Sequence, residues 1–275
     1  MLIVVTGATG KTGRRIVHRL HTAGSEVRAV GRTSAPRHDW ADPATWPAVL
    51  APDAEGRPPA AVYLAYAPDA GFPGADAVLG AFAGAAADAG VGRLVLLTGR
   101  GESGAVRSEE AVAAAGLPTV VVRAAFFAQG FTEDLFAESV AAGILRVPAG
   151  DVPEPFVDLE DLADVATAGL LGDLTTGVHE LTGPEALTFG EVAAELTRLT
   201  GGEVVYEPVT PEEFHADLVG VGLPDEDAAG ITGLFAELFD GRNVRPTDGV
   251  AQALGRPARP FATALAAAFP TAGAR

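Results

Sequence analysis

Three glycines at fixed spacing carry the first chemistry of this chain. Gly7-Ala8-Thr9-Gly10-Lys11-Thr12-Gly13 follows an apolar run, Leu2 to Thr6, and opens a helical stretch that reaches Ala23 and stops at Gly24. A Gly-x-x-Gly-x-x-Gly turn between a strand and a helix is the setting in which such glycines bind a dinucleotide. Gly7 permits the tight turn, Gly10 lets backbone approach a pyrophosphate, and Gly13 lets the helix sit close on the strand. Free N–H groups at the helix start then meet the phosphates. Thr9, Lys11 and Thr12 complete the turn, and Lys11 adds positive charge.

A second strand, Glu26 to Val30, ends in Gly31-Arg32-Thr33-Ser34. A site selective for NAD places Asp or Glu here to hold the ribose 2′-hydroxyl. Arg32 followed by two hydroxyl residues suits a 2′-phosphate instead, so NADP(H) is the expected cofactor. Ligands of parallel sheets lie at the C-terminal strand ends, which nominates further positions. Asp39 and Trp40 are expected along the adenine. Ala65, Tyr66 and Ala67 should border the nicotinamide ribose, with Thr98 and Gly99 facing the reacting centre. Tyr66 is the nearest phenol to that centre, as proton donor or as packing against the cofactor. Phe126, Phe127 and Phe131 either wall a flat apolar substrate pocket or pack between lobes.

The elements behind these residues alternate. Strands are expected at Glu26–Val30, Ala61–Tyr66, Arg93–Thr98, Thr119–Arg123, Pro155–Asp158 and Val178–Thr182, in addition to the first. Helices are expected at 42–50, 75–89, 106–115 and 159–171. Alternation of this kind signals βαβ units and a parallel sheet. An irregular segment begins at Phe126 and leads into a helix to Ala142. Thr188-Phe-Gly-Glu191 and Thr210-Pro-Glu-Glu213 fit capping boxes, starting helices at 189–199 and 211–219. The fold class is therefore α/β: a Rossmann doubly wound parallel sheet with a smaller, mostly helical C-terminal lobe. The core spans 1–125, completed by about 155–182; 126–154 and 183–275 form the substrate lobe.

Composition narrows the function. The 275 residues hold 19 Lys and Arg against 36 Asp and Glu, a net charge of −17. That surface repels phosphate backbones, so a nucleic-acid partner is not expected. There is no cysteine, and the five histidines form no metal-type cluster, so no metal site is expected. No apolar run approaches the roughly 18 residues of a membrane span, and the N-terminus lacks a signal-peptide pattern. A cytoplasmic protein with a small hydrophobic substrate is the expectation, with a homodimer left open.

The glycine turn, Arg32, Leu96-Leu97-Thr98, Val120 to Gln129, Phe156-Val-Asp158 with Asp161-Leu-Ala163, and Leu181 to Leu187 together resemble the NmrA-like, atypical branch of the short-chain dehydrogenase/reductases. The similarity runs over nearly the whole chain and is strongest to the ergot alkaloid (festuclavine and agroclavine dehydrogenase) group. It implies NADP(H) and hydride transfer to iminium, quinone-like or enone substrates of secondary metabolism; some members instead sense the dinucleotide as regulators. One departure stands out. The superfamily's Tyr-x-x-x-Lys pair would fall near Gly101 and Ala105, and residues 99–116 contain neither tyrosine nor lysine. Thr98 replaces the usual serine. Two functions follow: an NADPH-dependent oxidoreductase acting on an already activated acceptor without the Tyr/Lys acid, or a non-catalytic NADP-sensing regulatory protein.

Overall fold

The computed structural model describes residues 1–133 and 135–269. Leu2–Val5 (β1) is apolar throughout and fully covered, as a central parallel strand must be. It leads through the glycine turn into Lys11–Thr22 (α1), whose apolar stripe buries Ile16 and Leu20. Glu26–Ala29 (β2) follows, then the short helix Trp46–Val49 (α2), Ala61–Leu64 (β3), Ala75–Asp88 (α3), Leu94–Gly99 (β4), Ser103–Ala113 (α4) and Thr119–Ala124 (β5). Next come Gly130–Glu133 (α5), Ala137–Ala142 (α6), Ile144–Val147 (β6), Leu159–Leu171 (α7) and Gly177–Leu181 (β7). The chain continues with Phe189–Thr200 (α8), Val205–Pro208 (β8), Pro211–Gly220 (α9), Asp225–Leu238 (α10), Gly249–Leu254 (α11) and Phe261–Leu265 (α12).

Six strands form one parallel sheet in the order β2-β1-β3-β4-β5-β7. The order reverses between β1 and β3, the switch point beside which ligands bind in such sheets. One face packs on α1, α7 and α11 through Val5, Ile16, Leu162 and Val250. The other packs on α2, α3 and α4 through Val4, Phe82 and Val112. A separate apolar cluster joins α5, α6, α8, α9, α10 and α12 around Phe131, Phe136, Phe156, Phe189 and Phe235. No helix among the described residues is long and apolar enough to cross a membrane.

Both capping boxes are present: Glu191 N–H donates to Thr188 Oγ1 at 3.2 Å and Thr188 N–H to Glu191 Oε2 at 2.8 Å, with the same exchange between Thr210 and Glu213. Two expectations are corrected. Pro155–Asp158 is not a strand; Val157 and Glu154 make only isolated bridges, to Phe127 and Leu187. The helix expected from Val106 starts at Ser103. Outside the six-stranded sheet, β6 and β8 pair as a separate parallel two-stranded sheet.

The sheet half and the C-terminal segment are joined through α7. Asp158 caps it, accepting from Glu160 N–H at 2.9 Å and from Gln129 Nε2 at 2.7 Å. Asp161, fully buried, accepts from Arg256 Nη1 at 2.7 Å and from Arg259 backbone N–H at 2.7 Å. Removing one partner of such a pair costs more than the pair contributes, because the other charge loses its counterion. The arginine side chains are one-third exposed, which moderates the loss. Asp161→Ala is expected to lower the unfolding free energy by about 3 kcal/mol in urea denaturation. A loss below about 1 kcal/mol would mean that the C-terminal segment is held by other contacts.

Candidate functional site

The glycine turn is built as its spacing predicts. Gly7 turns at φ +58°, and Gly10 N–H donates back to Gly7 O at 2.8 Å. A Cβ at Gly13 would lie 2.2 Å from Gly7 O and 2.8 Å from Ala8 Cα, so no larger residue fits where α1 crosses the turn. A Cβ at Gly10 would meet only Gly7 O, at 3.1 Å, which leaves its outer side to a ligand. Among the described residues no side chain caps α1, so its first N–H groups are open to an anion. Thr6 ties β1 to β3: its hydroxyl donates to Tyr63 O at 2.9 Å and accepts from Ala65 N–H at 3.0 Å. Ala65 thereby lies beside Gly7. Thr9 is exposed, Thr12 buried and Lys11 half-buried. Burial lowers the Lys11 ammonium, with Glu133 opposing. These residues fit a dinucleotide pyrophosphate.

Ala8 N–H donates to Val30 O at 3.2 Å, which brings the end of β2 against the turn. Arg32 is exposed and has no carboxylate partner among the described residues. Ser34 Oγ accepts from Gly31 N–H at 2.8 Å and shapes that loop. Arg37, in contrast, pairs with Asp39 at 2.5 Å. The Asp39 carboxylate also accepts from Ala41 N–H at 3.1 Å, so it organises the loop. Trp40 donates its indole N–H to Ala65 O at 3.2 Å, and its ring lies 5.3 Å from that of Tyr66. Tyr66 is thus held in an aromatic group with Trp40. His38 packs edge-on against Trp40, with ring centres 4.4 Å apart; burial pushes it down to about 4, with Asp39 opposing, and it stays neutral.

At the far end of the sheet the structure departs from the sequence reading. Thr98 does not face an open centre. It is buried, and its hydroxyl donates to Glu109 Oε1 at 2.8 Å, where Glu109 also accepts from Arg123 Nε at 3.0 Å. Positions 101 and 105 have no room for the missing pair: a Cβ at Gly101 would lie 2.1 Å from Asn243 Nδ2, and Ala105 is fully covered. Phe131 is fully buried, 5.3 Å from Phe136 and 5.6 Å from Phe261, and belongs to the core of the C-terminal lobe. Phe127 packs against the sheet core, and Phe126 is half-buried.

Two carboxyls that sequence reasoning missed stand near the same strand ends. Glu154 is 2% exposed; its Oε1 accepts from Phe126 N–H at 3.1 Å, and burial pushes it up to about 7 while Arg100 opposes. Glu102 is 6% exposed, at the N-cap of α4, and burial with the Asp69 charge pushes it up to about 9. The available signal was a lone acid among Gly99, Gly101 and Gly104.

No protein-family model matches the chain. It is 31% identical over 248 residues to agroclavine dehydrogenase of Claviceps fusiformis, covering 83% of this chain and 84% of that protein. It is 31% identical over 293 residues to (4-alkanoyl-5-oxo-2,5-dihydrofuran-3-yl)methyl phosphate reductase of Streptomyces griseus, covering 94% and 95%. Its fold is that of the NADPH-dependent quinone oxidoreductase QOR2 of Escherichia coli, solved with NADPH, at a TM-score of 0.81 with 21% identity over 97% of this chain and 99% of that one. The chain belongs to the NmrA-like, atypical short-chain dehydrogenase/reductase family, near its ergot alkaloid group.

Proposed function

We propose that the protein is an NADP(H)-dependent oxidoreductase that reduces an activated small-molecule acceptor: an iminium, a quinone or a conjugated carbonyl. The observation that carries this reading is the start of α1 together with Arg32: among the described residues no side chain caps the first and no carboxylate pairs with the second. Together they offer backbone donors for a pyrophosphate and a guanidinium for a 2′-phosphate. In a chain of net charge −17, an exposed arginine with no carboxylate partner among the described residues gives the turn a local positive charge. The named activities of the two relatives, a dehydrogenase and a reductase of an oxo-dihydrofuran, agree with it. When bound, NADPH supplies hydride, the hard part of the chemistry. The protein's residues bind it, orient the acceptor over β3 and β4, and exclude water.

NADPH oxidation against a panel of quinones, cyclic iminium compounds and conjugated carbonyls tests the reading. Activated acceptors are expected to turn over and unactivated ketones to lag far behind. Bound NADPH with no turnover on any acceptor would favour an NADP-sensing regulatory protein.

Two variants test the cofactor site. By calorimetry, Arg32→Ala should weaken NADPH by about 1.5–3 kcal/mol and NADH little; equal losses would remove Arg32 from the site. Gly10→Val should keep its thermal unfolding yet lose dinucleotide binding, whereas Gly13→Val should disrupt the turn itself. A folded Gly10→Val protein with unchanged NADPH affinity would place the pyrophosphate elsewhere.

A further inference from the structure

We propose that Glu102 is the proton donor of this active site, acting on the carbonyl oxygen of a conjugated acceptor as that acceptor is reduced. The proposal rests on the oxidoreductase reading and supplies the acid that the missing tyrosine leaves vacant.

The Glu102 side chain lies in a slot made of absent side chains. A Cβ at Gly99 would stand 1.6 Å from its Oε1, and a Cβ at Gly71 would stand 2.4 Å from its Oε2. The carboxyl therefore crosses from the end of β4 to the loop after β3, the two strand ends over which a dinucleotide entering at β1 brings its reactive ring. The slot is clamped. Gly71 O would lie 1.9 Å from a Cβ at Gly104, and Ser108 Oγ donates to Ala70 O at 2.6 Å. Glu102 Oε2 is buried beside the Asp69 carboxyl, with both oxygens against the Cβ position of Gly71. Two carboxyls facing each other away from water are stable only with a proton held between them.

The surroundings keep a proton there. Burial raises Glu102 to about 9, reinforced by Asp69 and by Glu237. Glu237 itself accepts from Ser103 N–H at 3.0 Å and faces Arg242 at 3.7 Å. Asp69 accepts from Gly71 N–H at 2.6 Å and is less buried, so it links Glu102 to water. In the step, the acceptor's β carbon takes hydride from NADPH, the C=C pair shifts to form the enolate, and Glu102 gives its proton to the enolate oxygen. The acceptor gains two electrons, NADPH becomes NADP⁺, and the Glu102 carboxylate regains a proton from water past Asp69. An iminium acceptor needs no such proton, since hydride alone yields the neutral amine.

Two measurements test this. In the cofactor-free protein, infrared pH titration should show one protonated-carboxyl band persisting to about pH 9 and missing from Glu102→Gln. Asp69→Asn, which keeps the band, should shift its titration to lower pH. In turnover, the ratio of conjugated-carbonyl to iminium reduction should fall about 10²–10⁴-fold in Glu102→Gln, the loss typical of a missing general acid. An unchanged ratio, or a band unaffected by Glu102→Gln, overturns Glu102 as the donor while the oxidoreductase reading stands. A wild-type protein that binds NADPH but reduces neither acceptor overturns that reading and the proposal with it.

Discussion

Everything at the cofactor end depends on how closely α1 sits on the turn before it. A Cβ at residue 13 would lie 2.2 Å from Gly7 O, so α1 sits this close to the turn only because residue 13 is glycine. That contact aims the uncapped N–H groups of α1 across the strand ends, and the Thr6 bridge to Tyr63 and Ala65 aligns β1 with β3 at the same level. Binding at a helix start is thereby set by backbone, whose geometry varies little. In the proposed site, selectivity is left to exposed side chains such as Arg32.

The reacting end is organised differently. In a typical member of the superfamily, a tyrosine and a lysine project from the helix after β4. Here Asn243 occupies the space at position 101, and Thr98 is turned away into a buried link with Glu109 and Arg123. The polar capacity of this end lies in carboxyls, Glu102 and Glu154, both pushed toward their neutral forms by burial. Burial, reinforced at Glu102 by the like charge of Asp69, is what lets a carboxylic acid keep its proton at neutral pH. Raised carboxyls also carry a stability consequence. Their folded forms hold protons that the unfolded chain releases above its ordinary carboxylate range, so the stability that Glu102 contributes declines as pH rises from about 4.5 toward 9.

How much was legible in the sequence followed the range of the interaction. The turn, the capping boxes and the alternating apolar runs are local, and residue type alone specifies them. Phe131 was ambiguous because an apolar pocket wall and a core residue use the same side chain; only the packing of Phe136, Phe189 and Phe261 around it decides. The β6–β8 pair was not legible: each strand is 4 residues long, and the two are separated by α7, β7 and α8. Glu102 reads as an ordinary helix-start acid, because its slot forms from glycines 3 and 31 positions away, Gly99 and Gly71.

In the proposed reaction, hydride passes directly from NADPH, bound at the turn, to an activated carbon. A single turnover of the wild-type protein with NADPH deuterated at the nicotinamide C4, followed by mass spectrometry of a reduced cyclic iminium, tests it most directly. One deuterium in the product, from only one of the two C4 epimers, is the predicted result. Product without deuterium from either epimer, or labelled cofactor left unconsumed, would contradict it.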